Sequence, residues 1–206
     1  MTPFEKKPRR SQAERSAASS AAILNAAVEL FLEEGTRASM MEIGRRSGFS
    51  HGLVMSRFGS KDGLIAAVTY EIHRRFRAEI IEALEEKRGL AALERFIDAY
   101  CGSLLGNSLS TKAFFVLLGE ALGPNMVVRH AMAELDTVFR DILSAMIEQG
   151  KADGHIRSDL PTTAVAVLLV GMLRGIGVQS RVHPGAVDIE ACRDGVHLLV
   201  HAALRA

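Results

Sequence analysis

Apolar residues recur at helical spacing along nearly the whole chain, and that single period excludes most folds at once. Ile23, Ala26, Ala27, Leu30 and Phe31 fall at i, i+3, i+4, i+7 and i+8, and Gly35 follows as a C-terminal cap. Leu64, Val68, Ile72, Phe76, Ile80 and Leu84 predict a long helix over about 62–87. Three more stripes follow: one from Leu93 to Leu105, one from Phe114 to Leu122 stopped by Gly123-Pro124, and one from Leu135 to Met146 ended by Gly150. Residues 150–160 read as a polar loop, Pro161 suits the first position of a helix, and a last helix covers about 188–204. Strand alternation is nearly absent. The expected class is all-α, divided into a head at residues 1–61 and a helical body at 62–206.

The informative punctuation lies between residues 35 and 61. Ser39-Met40-Met41-Glu42 has the spacing of a capping box, in which the hydroxyl takes the Glu42 amide and the Glu42 carboxylate reaches back. Gly48 ends that short helix, Ser50 caps a second one through Phe58, and Ser60 caps the long helix after it. Helices this short are unstable alone and must pack, with Ile43, Phe49, Val54 and Phe58 closing on Ile23, Ala27, Leu30 and Phe31. Gly44 lets the two helices approach. Two short helices across a glycine turn, at 39–58, make a helix-turn-helix, and the outward face of the second (His51, Gly52, Met55, Ser56, Arg57) is small and polar enough for a major groove. Charge agrees in sign: residues 1–61 hold ten Lys/Arg and six Asp/Glu, a basic head on a body carrying a net of three negative charges.

The string ILNAAVELFLEEGTRASMMEIGRRSGFSHGLVMSRFGSKDGLIAAV resembles the DNA-binding head of the TetR family of bacterial transcriptional regulators. The resemblance runs over roughly residues 20–70, with several linked motifs in order, and implies an all-α chain with a three-helix helix-turn-helix DNA-binding domain at 1–61 followed by a helical ligand-binding and dimerisation domain at 62–206. It implies a DNA-binding set of Ser39, Met40, Arg46, Ser50, His51, Gly52, Leu53, Met55, Ser56, Arg57 and Lys61. Ser39 matches a phosphate-contacting hydroxyl, residues 50–57 the recognition helix, and Lys61 a lysine that grips the backbone. Met55 stands where the family usually has Tyr and brings no hydroxyl, so Arg57 is expected to supply a charge-assisted phosphate contact instead. A basic N-terminal arm, residues 1–12, is expected to be disordered or to enter the minor groove through Lys6 to Arg10.

One short helix reads too little DNA for specific affinity, so a homodimer on a palindromic operator is expected, with half-sites roughly 34–36 Å or a multiple apart. The chain is apolar on almost every side from Ala164 to Val178, and the dimer surface is assigned to Leu168, Gly171, Met172, Gly175, Val178, Val196, Leu199, Val200 and Ala203. A buried central helix of a monomer is the alternative. The body's aromatic and Met residues suggest an apolar effector pocket lined by Phe76, Phe96, Tyr100, Phe114, Phe115, Leu118, Met126, Phe139 and Arg174, or else plain core. By the resemblance, a small molecule there would shift the long helix and change the separation of the two heads.

His197 and His201 stand at i, i+4 but lack a third ligand at a suggestive spacing, so no metal and no cofactor are expected. Cys101 and Cys192 are too few for a disulfide scaffold and fit a reducing compartment. The nearly uncharged run from Leu160 to Leu173 is short for a bilayer, and the basic N-terminus leads into no apolar signal segment, so a cytoplasmic protein without a membrane partner is expected. The expected function is a ligand-responsive repressor released by a small apolar or amphipathic molecule. The alternatives are a small all-α enzyme, for which no catalytic motif is present, and a sequence-tolerant architectural DNA binder, which would need a broader basic face.

Overall fold

The computed structural model describes residues 11–84 and 86–206. The first ten residues of the expected basic arm therefore lie outside the described residues, whereas Ser11 and Gln12 already belong to a helix start. There the Ser11 amide donates to the Glu14 carboxylate at 2.6 Å and the Glu14 amide to the Ser11 hydroxyl at 3.2 Å, a reciprocal cap that opens α1 (Gln12–Glu34). Gly35, with φ 63°, ends it, and a single 3₁₀ turn (Gly35–Arg37) leads to α2 (Met40–Ser47).

Only half of the cap expected at α2 forms. The Ser39 hydroxyl takes the Glu42 amide at 3.1 Å, but the Glu42 carboxylate binds Arg45, with Nε at 2.8 Å. A guanidinium one turn ahead offers two charged donors and outcompetes one neutral amide. Gly48, left-handed at φ 78°, turns the chain into α3 (His51–Phe58), whose first turn is capped by Ser50 accepting from the Leu53 amide at 3.2 Å. α2 and α3 approach closely at Gly44, where a Cβ would lie 2.9 Å from the Phe49 carbonyl oxygen. Ile23, Ala27, Leu30, Phe31, Ile43 and Val54 form the buried centre of this unit, while Phe49 and Phe58 are only half-buried.

The chain divides into two compact units, one ending at Val68 and one beginning at Thr69, with the helix α4 (Lys61–Leu84) contributing residues to both. The second unit adds α5 (Gly89–Gly106), α6 (Leu109–Leu122), α7 (Met126–Ala152), α8 (Thr162–Val182) and α9 (Ile189–Leu204). No strand occurs among the described residues; a lone bridge pairs Ile156 with Arg205. Leu93, Phe96, Ile97, Leu143, Ile147, Ala166, Leu169 and Leu173 are buried in one core.

One boundary differs from the sequence reading. α7 runs through Gly150, which is a contact residue rather than a stop: a Cβ there would lie 2.5 Å from Ile156 Cδ1 and 3.3 Å from the Leu90 amide. α8 continues past Arg174 to Val182, so it is long and apolar enough by length and composition to cross a membrane, although the run counted to its first charge is not. Its Val165, Ala166, Leu169, Val170, Leu173 and Gly177 face the core, and Val167, Leu168 and Val178 are exposed.

Because the turn leaves no room for a side chain, Gly44→Val should destabilise the first unit by about 2–3 kcal/mol. Native-state hydrogen exchange should show α2 and α3 losing protection while α7 keeps its own. Unchanged protection in α2 and α3 would mean that the close approach is not needed.

Candidate nucleic-acid interface and effector cavity

The outward face of α3 is open. His51, Gly52, Met55, Ser56 and Arg57 are exposed, as are Ser39, Ser50 and Lys61, while Leu53 is half-buried. Ser39 and Ser50 accept helix amides through their oxygens, which leaves each hydroxyl hydrogen free to donate outward. Lys61 donates through Nζ to the Arg37 carbonyl at 3.1 Å.

Three members of the sequence-derived set are placed otherwise. Met40 is buried at 8% exposure because it occupies the inward side of α2. Arg46 makes a two-point ion pair with Glu33 of α1 at 2.6 and 2.9 Å, which holds the Glu33 carboxyl below its usual range and neutralises the arginine. Arg57 turns back to α1, donating to the Ser16 hydroxyl and, at 3.4 Å, to Ser19, so it is not the free phosphate donor that replacing Tyr by Met55 suggested. The sequence reading missed Arg37, an exposed cation whose carbonyl seats Lys61; its place just before the helix-turn-helix was the available signal. From Ser11 to Lys61 there are six basic and five acidic residues, so the basic excess of the head resides almost wholly in residues 1–10.

The aromatic residues proposed as an effector pocket converge only in part. Phe76 stacks on Phe114 at 5.3 Å between centroids and meets Tyr100 edge-on at 5.4 Å; Phe96 and Phe139 pack at 6.0 Å. These five, with Val170, Leu173 and Arg174, surround a cavity of about 10 Å³, room for roughly one water. Phe115 and Leu118 instead line a separate groove with Leu122 and Val178, and Met126 is exposed. Arg174 lies over the Phe114 ring at 5.7 Å and donates to Asp136, which also binds Arg140 at 2.8 Å. The sequence could not show Asp136 as its partner, since the two are 38 positions apart.

Among the described residues, three buried side-chain polar atoms have no partner: His73 Nε2, Tyr100 Oη and Arg181 Nη2. Each costs about 1–3 kcal/mol if nothing meets it. His73 packs edge-on against Phe139 at 4.9 Å, and burial, with the charges of Arg77 and Arg174, lowers its pKa to about 4. Burial likewise raises the Tyr100 phenol. His73 was overlooked because it reads as polar in a stripe marked by Ile72 and Phe76.

Elsewhere, His197 Nε2 meets Asp98 at 2.8 Å and His201 Nε2 meets Glu94 at 2.9 Å, tying α9 to α5. Among the described residues no group of three His, Cys, Asp or Glu side chains is placed to hold a metal. Cys101 is a buried thiol with its pKa pushed up to about 11, and Cys192 is half-buried. Of the assigned dimer residues, Leu168, Gly171, Val178, Leu199 and Ala203 are exposed and Met172 and Gly175 half-buried. Val196 and Val200 are buried at 4% and 2% exposure, because they are the side of α9 that packs on the body's own core.

A profile described as "Bacterial regulatory proteins, tetR family" matches residues 23–68. The HTH-type transcriptional repressor Rv3405c of Mycobacterium tuberculosis (strain ATCC 25618 / H37Rv) is 34% identical over 127 residues, covering 55% of this chain and 68% of that one. The chain belongs to the TetR family. Two solved structures show the same fold as this TetR-family chain. A transcriptional regulator from Saccharomonospora viridis in complex with choline has a TM-score of 0.76 at 16% identity, covering 92% of this chain and 99% of that one. The SmeT–triclosan complex has a TM-score of 0.77 at 21% identity, covering 91% and 92%. The TetR-family chain is thus a transcriptional regulator with a helix-turn-helix DNA-binding domain.

The buried neutral His73 has a consequence for pH. Between about 6.5 and 4 the unfolded chain's histidine takes a proton while the folded one stays neutral, so stability falls as pH drops through that window. Urea unfolding at pH 7 and pH 5 should show this contribution as about 1–2 kcal/mol, absent in His73→Leu. Equal pH dependence in the two proteins would mean that His73 is not held neutral.

Proposed function

We propose that this regulator is a homodimeric repressor that binds a palindromic operator and is released when a small apolar or amphipathic molecule enters the body. The observation that carries the reading is the exposed polar face of α3, with His51, Gly52, Met55 and Ser56 presented outward and two serine hydroxyls able to donate. In this reading residues 1–61 bind DNA, residues 62–206 bind the effector and the second copy, the protein works in the cytoplasm, and it carries out no catalysis. Neighbours of the same fold hold choline and triclosan, which supports a small-molecule effector here.

Lys61, Ser39 and Ser50, with Arg37, hold phosphates; His51, Gly52, Met55 and Ser56 face base edges in the major groove. The single-helix readout is doubled by a two-fold axis. The partner surface is the apolar face of α8 and α9, where Leu168 and Leu199 are 65% and 56% exposed. Val167 and Leu198 extend it beyond the residues named from sequence. A Cβ at Gly171 or Gly175 would meet nothing within 4 Å, so α8 is open to a second helix there. The cavity lies against Phe76 of α4, the helix that begins at Lys61, so a molecule entering it would displace the helix that carries a phosphate contact.

Two measurements test the reading. In anisotropy titrations on an operator selected from genomic fragments, Lys61→Ala should weaken binding to all sequences and lower the salt slope by about one. His51→Ala should instead change discrimination at particular base pairs by about 1–3 kcal/mol, and Arg57→Ala should move the salt slope less than Lys61→Ala. Three unchanged operator affinities would refute the recognition face. In sedimentation, Leu168→Glu with Leu199→Glu should yield monomers whose operator affinity falls at least tenfold; a stable dimer would place the interface elsewhere.

A further inference from the structure

The effector cavity is not uniformly apolar, and its polar atoms say more about the ligand than its volume does. Tyr100 is 3% exposed and His73 4%, yet Tyr100 Oη and His73 Nε2 have no partner. They sit on different helices, α5 and α4, and both border one aromatic cluster: Tyr100 through Phe76 and Phe96, His73 through Phe139. His73 also lines a recess of about 190 Å³ between α4 and α7, together with Tyr70, Arg74 and Arg77. The histidine thus stands between an opening that carries arginines and the interior cluster.

The sign of the fixed charge decides which ligand fits. An aromatic enclosure by itself would suit a cation. Here Arg174 already lies over Phe114, at 5.7 Å, and lines the cavity, so a second cation would be repelled. Arg174 donates to Asp136, and Asp136 has Arg140 as a second partner at 2.8 Å. An incoming anion can therefore take Arg174 while Asp136 remains paired, so no buried carboxylate is abandoned. Arg77, at the recess, has no ion pair among the described residues and adds positive potential at the opening.

We propose, building on the reading of the body as an effector domain, that the effector is a small organic acid with an apolar body. Its hydrocarbon part separates the rings of Phe76 and Phe139, and its carboxylate accepts from the Tyr100 hydroxyl and the Arg174 guanidinium. His73 remains neutral behind Phe139, on the recess side of the ring cluster. The cavity's present size makes ring rotation part of binding, which couples occupancy to α4 through Phe76 and His73.

Full-length protein is titrated calorimetrically at pH 7.5 with phenylacetate, 4-phenylbutyrate and octanoate, with the matching primary amides, and with choline; operator release is followed by anisotropy in parallel. At least one acid should bind tenfold or more tightly than its amide and release DNA. Tyr100→Phe and Arg174→Gln should each cut that acid-over-amide preference about tenfold, with Arg174→Lys restoring part of it. Cooperative melting of each variant separates this loss from misfolding. Binding and DNA release by an amide or choline at equal or higher affinity would overturn the acid assignment and leave the ligand-responsive repressor standing. Acids that bind with no dependence on Tyr100 or Arg174, or a panel in which no acid binds, would also overturn it. Failure of the repressor reading itself would appear independently, as an absent operator complex before any ligand is added.

Discussion

The second helix of the helix-turn-helix, α3, is positioned by backbone. The Phe49 amide donates to the Gly44 carbonyl at 2.9 Å, the Gly48 amide to Arg45 at 3.3 Å, and the missing Cβ of Gly44 is what lets the chain pass this close. An eight-residue helix has too few internal hydrogen bonds to hold its own direction. Its inward side offers one fully buried residue, Val54, with Leu53 and Phe58 only half-buried. The fixed turn thus substitutes for side-chain burial, and it frees the opposite side of α3 to carry small polar residues without loss of order.

The same economy governs charge in the first unit. Arg46 and Arg45 are occupied by Glu33 and Glu42, and Arg57 by the hydroxyls of Ser16 and Ser19. These exposed pairs add little stability, but they occupy charged donors on the surface of this unit. Arg57 differs from the other two because hydroxyls leave its charge uncompensated. It can stay hydrogen-bonded to α1 and still contribute potential toward an anion, which is a long-range role rather than a contact.

Much of this was legible in the chain. The nine helices described, the glycine turn and the serine caps follow from period and punctuation, since those signals are local. The failures have one cause, which is competition from partners distant in sequence or on an unforeseen side. Glu42 prefers Arg45 to its own helix start, Arg174 finds Asp136 across two helices, and Val196 and Val200 turn to the core although α9 is apolar on several sides. Gly150 was misread because a glycine that ends a helix and one that admits a neighbour look the same until Ile156 is seen against it. Phe115 and Leu118 left the cavity for the same reason: composition says that aromatics cluster, and only packing says which ones.

On the proposed effector reading, the buried polar atoms of the body are explained by ligand binding rather than by stability. An aromatic core that needed only to fold would gain from Phe at position 100 and Leu at position 73, since each change removes a group that has no protein partner. Arg181 differs in kind: its Cζ lies 4.1 Å from the Phe115 ring centroid and its Nη1 donates to the Gly177 carbonyl, so one idle nitrogen accompanies contacts already made. Tyr100 and His73 have no such compensation at the atoms in question, and both stand where α4 and α5 meet one cluster of rings. A site that must exchange a packed state for an occupied one keeps unsatisfied groups in the first state, because they lower the free-energy gap that a ligand has to close.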